Sequence, residues 1–169
     1  MSSEVKMKKF FLLILAGLLI SCSGQTPKAT PTPGLVDEIK QFLNEITLKT
    51  GDCKSALELI GSSATSIKDN PDLFLDQGYM DSFKNGLNQV ETSCTGFSEI
   101  KKPSVLDEIN ETLAKLDNEY TQFVSLTTAA IDSADTTALE QARQHASQAE
   151  DYAVEIKGFL TSLVESYKK

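Results

Sequence analysis

Leu106, Ile109, Leu113, Leu116, Tyr120, Phe123, Thr127 and Ala130 follow one another at alternating steps of three and four. Leu139, Ala142, Ala146, Ala149, Ala153, Ile156, Leu160, Leu163 and Tyr167 do the same. Such steps return each side chain to one face of an α-helix, so two sustained stripes mean two long helices packed along a seam. The link Asp132-Ser133-Ala134-Asp135-Thr136 is short and polar, which forces the pair into an antiparallel hairpin. Pro103-Ser104 is expected to open the first of them with Ser104 as N-cap, and Thr137 has capping-box spacing to Glu140 for the second. With Ala130 set against Leu139, Phe123 meets Ala146, Tyr120 meets Ala149, Leu116 meets Ala153, and Leu113 faces Ile156. Large then faces small along most of the seam, as an interdigitated core requires. Asp117 and Glu155 fall on outward or flanking positions, where truncation is expected to change little.

A hairpin alone needs only its seam to be apolar. Here Val105, Val124, Leu126 and Ile131 widen the first face, and Tyr152, Phe159 and Val164 widen the second. The extra width needs cover, and the N-terminal half supplies it. Leu35, Ile39, Phe42, Ile46, Cys53, Ala56, Ile60 and Ile67 keep the helical period, with Gly51 and Gly61 as weak points that would kink or split that helix. Met80, Phe83, Leu87, Val90, Cys94 and Phe97 form a fourth stripe. With hardly any β signal, the expected fold is all-α: an antiparallel four-helix bundle, up-down-up-down, ending in the heptad-patterned hairpin.

The first segment is of another kind. Two lysines, Lys8 and Lys9, precede the run Phe10-Phe11-Leu12-Leu13-Ile14-Leu15-Ala16-Gly17-Leu18-Leu19-Ile20, which stops at Ser21-Cys22. A run of about ten apolar residues is too short for a bilayer core, which takes about 20. A basic start, a short apolar stretch and a small residue before the cut mark a secretory signal, for which Met7 reads as a better start than Met1. The segment Leu19-Ile20-Ser21-Cys22 resembles the lipobox of bacterial lipoproteins. That resemblance covers only the first 22 residues. It implies cleavage before Cys22, two acyl chains on its sulfur and often a third on the new N-terminus. Ser23 stands where inner-membrane lipoproteins often carry aspartate. The family rule therefore implies the outer membrane, or the outer face of the cell membrane where there is only one.

The division expected is signal 1–21, lipidated cysteine and tether 22–34, and helical domain 35–169. The tether, Ser23 to Gly34, is rich in proline and threonine, cannot form a core and favours extended geometry. At roughly 3 Å per residue it would hold the domain some 30 Å from the bilayer. Loss of Lys6, Lys8, Lys9 and Glu4 with the signal takes the net charge from −8 to about −10. Such a surface repels nucleic acid and anionic headgroups, so the acyl chains must do the anchoring.

Export places Cys53 and Cys94 where disulfides persist, and a bond between them is the default against two buried free thiols. If the second helix started right after Asn70-Pro71, Cys94 would lie about eight residues, or roughly 12 Å, beyond the level of Cys53. Bridged Cα atoms must lie within about 7 Å. A start near Tyr79 instead sets Ile67 against Met80 and Cys53 against Cys94. Asp69 to Gly78 is then a loop or one short helical turn, capped by Asn70, opened by Pro71 and ended by Gly78.

Residues able to carry chemistry are few. The single histidine, His145, flanks the seam, and no Glu-x-x-His pair of a di-iron bundle exists. With the two cysteines paired, the ligands of a zinc site are missing. Met80 and His145 are the pair a haem would use, a combination found in many proteins that bind none. Asp107, Glu108 and Glu111, and Glu150, Asp151 and Glu155, lie on outward positions and read as a solvated face. There is no phosphate loop and no nucleophile elbow. The reading expects no catalytic residue, no metal and no cofactor. It expects a membrane-tethered module that meets a protein or envelope component. The alternative is a binder of a small apolar ligand or lipid where Ala142, Ala146, Ala149 and Ala153 leave room.

Overall fold

A computed structural model of the protein describes residues 33–167, with only the backbone of Pro33 and Tyr167. The signal, Cys22 and all but the last two residues of the expected tether lie outside them. The described residues are all-α, with four α-helices: α1 (Pro33–Asp69), α2 (Gln77–Cys94), α3 (Asn110–Ser133) and α4 (Thr136–Tyr167). Short 3-10 turns, Pro71–Phe74 and Ser104–Ile109, precede α2 and α3. Pro33 and Gly34, expected in the tether, are helical.

α1 runs unbroken across Gly51 and Gly61. A glycine inside a helix costs about 1 kcal/mol relative to alanine, so something else must hold these turns together. The flanking residues Ile46, Cys53, Ala56 and Ile60 are buried in the core. The serine and threonine hydroxyls of α1 donate back to carbonyls one turn earlier, Ser55 to Gly51 and Thr65 to Gly61 among them. That satisfies them without opening the helix.

The starts of α2 and α4 differ from expectation by about two residues, each with a capping cause, and α3 begins later than expected, at Asn110. α2 begins at Gln77 because the Asp76 carboxylate, not Gly78, closes the preceding turn, accepting from the Tyr79 amide at 2.9 Å. Gly78 lies within α2. Asn70 does stand before the Pro71–Phe74 turn, without a side-chain capping bond. Ser104 is not an N-cap: Pro103 precedes a 3-10 turn that leads into α3. At α4 the cap is Asp135, which accepts from the Thr137 and Ala138 amides at 2.8 and 3.2 Å, so Thr137 lies inside the helix. Between α3 and α4 the chain turns at Ala134 with φ +51°, a left-handed conformation more usual for glycine.

Each α-helix packs on the next in sequence, and one apolar cluster draws residues from all four. Phe42, Leu87, Val90, Leu106 and Leu113 are fully enclosed. All six residues of the Met80-to-Phe97 stripe are buried. The α4 stripe holds from Ala142 to Leu163, but Leu139 is 54% exposed and its neighbour Ala138 takes the inward place. Val105, expected to widen the α3 face, is 52% exposed because the 3-10 turn rotates it outward.

Candidate functional site

Sequence predicts a bond between Cys53 and Cys94, and the structure contains it, with Cα atoms 4.6 Å apart. Neighbouring contacts agree on the register. A Cβ on Gly86 would meet Ile60 Cδ1 at 2.7 Å, and the Tyr79 hydroxyl donates to the Ser63 carbonyl at 3.0 Å. Cys94, Gly86 and Tyr79 recede along α2 while Cys53, Ile60 and Ser63 advance along α1. The glycine lets the two backbones come close.

Just beyond the disulfide the chain leaves its helix, at Gly96 with φ +78°. Phe97 is buried there, with the Lys49 ammonium 5.5 Å from its ring centroid. Asp117 on α3 secures this segment. Its carboxylate accepts from the Phe97 amide at 2.9 Å, the Ser98 amide at 2.9 Å and the Ser98 hydroxyl at 2.7 Å. Asp117 is therefore a clamp and not a free outward charge. Glu155 is likewise engaged, accepting from the Thr112 hydroxyl at 2.9 Å.

The histidine has a partner that sequence reasoning missed. Glu119 on α3 is 8% exposed, and its carboxylate lies 2.5 Å from His145 Nδ1. The contact holds the imidazole ring by Nδ1 against the buried carboxylate, so that Nε2 is the ring nitrogen not engaged by Glu119. Carboxylate and imidazole in this relation are an orienting pair, the second half of what a catalytic triad or metal site would use. Among the described residues no group of three or more His, Cys, Asp or Glu side chains is placed to hold a metal ion. The available signal was a lone histidine beside a seam whose facing helix carries an acid next to Tyr120.

A further feature lies in the connection between α1 and α2. Leu73, Phe74 and Leu75 are three apolar residues in a turn that buries none of its own, and Phe74 and Leu75 are 43% and 85% exposed. The turn is nonetheless ordered by backbone bonds from Leu73 to Asn70, Leu75 to Asp72 and Asp76 to Leu73. Asp69, Asp72 and Asp76 flank it, all exposed. An apolar run inside a loop, with no period to assign it to a core, was the sequence signal for it.

Compared with models of known families, with curated proteins and with solved structures, the chain matches none. Along the groove between α1 and α2, Asp52, Ser55, Ala56, Leu59, Gln89 and Ser93 line a shallow, open depression. In the α3–α4 seam Ala142 and Ala149 are 1% and 0% exposed. The Tyr120 hydroxyl is pushed up to about 12 by burial, with the Glu150 carboxylate adding to the effect. No described helix is long and apolar enough to cross a membrane.

Proposed function

We propose that the protein is an extracytoplasmic lipoprotein, tethered to the membrane through acyl chains on Cys22, whose helical domain is a non-enzymatic module for a protein or envelope component. The observation that carries the compartment is the bonded pair Cys53 and Cys94. Disulfides persist outside the cytoplasm, which is where a signal of the Lys8 to Ser21 kind would send the chain. Cys22 follows that signal at lipobox spacing, and two or three acyl chains anchor stably where one alone is marginal.

Within this reading the domain is an antiparallel four-helix bundle, up-down-up-down. Three cross-helix links support it: Cys53 with Cys94, Lys84 with Asp132 at 2.5 Å, and Thr112 with Glu155. The interaction role is favoured by Phe74 and Leu75, large apolar side chains presented to solvent on an ordered turn.

Intact-mass measurement tests the anchor. The mature chain should begin at Cys22 and carry the mass of two or three acyl chains, and Cys22→Ser should move the protein from the detergent phase to the aqueous phase. A free, unmodified Cys22 would end the lipoprotein reading. Crosslinking on intact cells tests the module: a specific protein adduct is expected, and a copurifying lipid or small molecule in its place would overturn it.

A further inference from the structure

Scattered exposed apolar residues are normal on a soluble surface, and Leu48, Leu59, Val105, Leu139 and Val154 fit that description. Phe74 and Leu75 differ in three ways. They are adjacent, they sit on a turn ordered by its own backbone bonds, and three exposed acidic residues, Asp69, Asp72 and Asp76, bracket them in sequence. The turn follows the C-terminal end of α1, a helix of 37 residues. At 1.5 Å per residue that helix is about 55 Å long.

We propose that Pro71–Asp76 is a docking tip for a protein with an apolar pocket rimmed by lysine or arginine. This rests on the interaction role given above. Phe74 and Leu75 fill the pocket, and the carboxylates select a basic rim around it. An ordered turn loses little freedom on docking, which favours a small contact of this kind. Central apolar anchors carry most of the energy in such contacts, while the surrounding charges set partner choice and association rate. The same carboxylates oppose insertion of the tip into anionic lipid.

The test places a photoreactive benzoylphenylalanine at position 75 of the full-length protein in intact cells, with parallel positions at Leu48, Leu59 and Lys157. The expected result is a protein adduct from position 75 whose crosslinked segment carries lysine or arginine beside the apolar contact. The yield should fall about tenfold or more with Phe74→Ser, and several-fold with Asp69→Asn plus Asp72→Asn or when salt is raised. Unchanged melting of the Phe74→Ser protein shows that the fold is kept. A lipid adduct, a partner segment without basic residues, or a yield indifferent to the two Asp→Asn changes would overturn the proposal. Adducts from position 48, 59 or 157 but not from 75 would overturn it too, while leaving the interaction role standing. No protein adduct from any position would remove both.

Discussion

The carboxylate of Asp117 meets two backbone amides and a hydroxyl on a stretch that has left the helix and has no ladder to satisfy its donors. A hydrogen bond to a charged group contributes roughly 1.5–3 kcal/mol, and part-buried donors left without an acceptor add a desolvation cost. Asp117→Ala should therefore lower stability by about 2 kcal/mol or more, with Asp117→Asn, which keeps one acceptor, losing less. Urea titration of the three proteins measures it, and a loss within about 0.5 kcal/mol for Ala would mean that water replaces the clamp without penalty. By period alone Asp117 reads as a solvated side chain, because its partners belong to a segment with no repeat to place it. Tyr120 gives a second residue-level expectation, in pH. Its hydroxyl titrates near 12 in the folded chain against 10.0 for the free side chain. A group whose pKa is raised by folding stabilises fully below its unfolded value, so that contribution is intact below pH 10 and drains away between pH 10 and 12. The slope in that window is at most about 1.4 kcal/mol per pH unit, and Tyr120→Phe should flatten it. Equal slopes in the two proteins would show that the ring is not held away from water.

At the scale of the helices, the 3-and-4 stripes were legible because burial follows the period of an α-helix wherever a face is covered. All of Met80, Phe83, Leu87, Val90, Cys94 and Phe97 are inside. Helix ends were not legible to the residue, since several neighbouring Asp, Ser and Thr residues compete for each cap. Asp76 and Asp135 win because their carboxylates reach the first free amides, and that choice also explains why Ala138 and not Leu139 starts the buried face of α4. The level of Cys53 with Cys94 was legible because a bond is possible only when the residues up to the start of α2 are kept out of that helix. This bond closes a loop with a sequence separation of 41. In the chain-entropy model such a loop is worth roughly 3–4 kcal/mol, a large part of the 5–15 kcal/mol typical of a domain. Reduction should lower the unfolding free energy by about that amount, read from urea curves with and without dithiothreitol. A loss below about 1 kcal/mol would mean that the reduced, unfolded chain already holds α1 and α2 together. Leu113→Ala, at a fully enclosed position of α3, should cost on the order of 2–5 kcal/mol in the same assay.

For the molecule as a whole, the question is whether the strongly patterned α3–α4 hairpin is a fold in itself or half of one. Its own seam closes with Leu116, Ala142 and Ala149 buried. Yet Leu113, Val124 and Ile156 share one cluster with Phe42, Ile46, Phe83 and Leu87 from the N-terminal helices, and Tyr152, Phe159, Leu160 and Leu163 pack against that cluster from the side. Without α1 and α2 these side chains would face water, forfeiting roughly 25 cal/mol for each Å² of apolar surface uncovered. Asp117 would also lose the three donors of Phe97 and Ser98, and Asp132 would lose Lys84. What remains is a two-helix hairpin with a wide apolar face, a state that keeps helix but lacks a closed core. A fragment spanning residues 104–169 should show helical circular dichroism that melts broadly, bind hydrophobic dyes and associate as concentration rises. The intact domain should unfold in a single cooperative step in which fluorescence and circular dichroism coincide. A sharp, concentration-independent melt of the fragment, with no dye binding, would show that the hairpin folds on its own and that α1 and α2 are an appended layer.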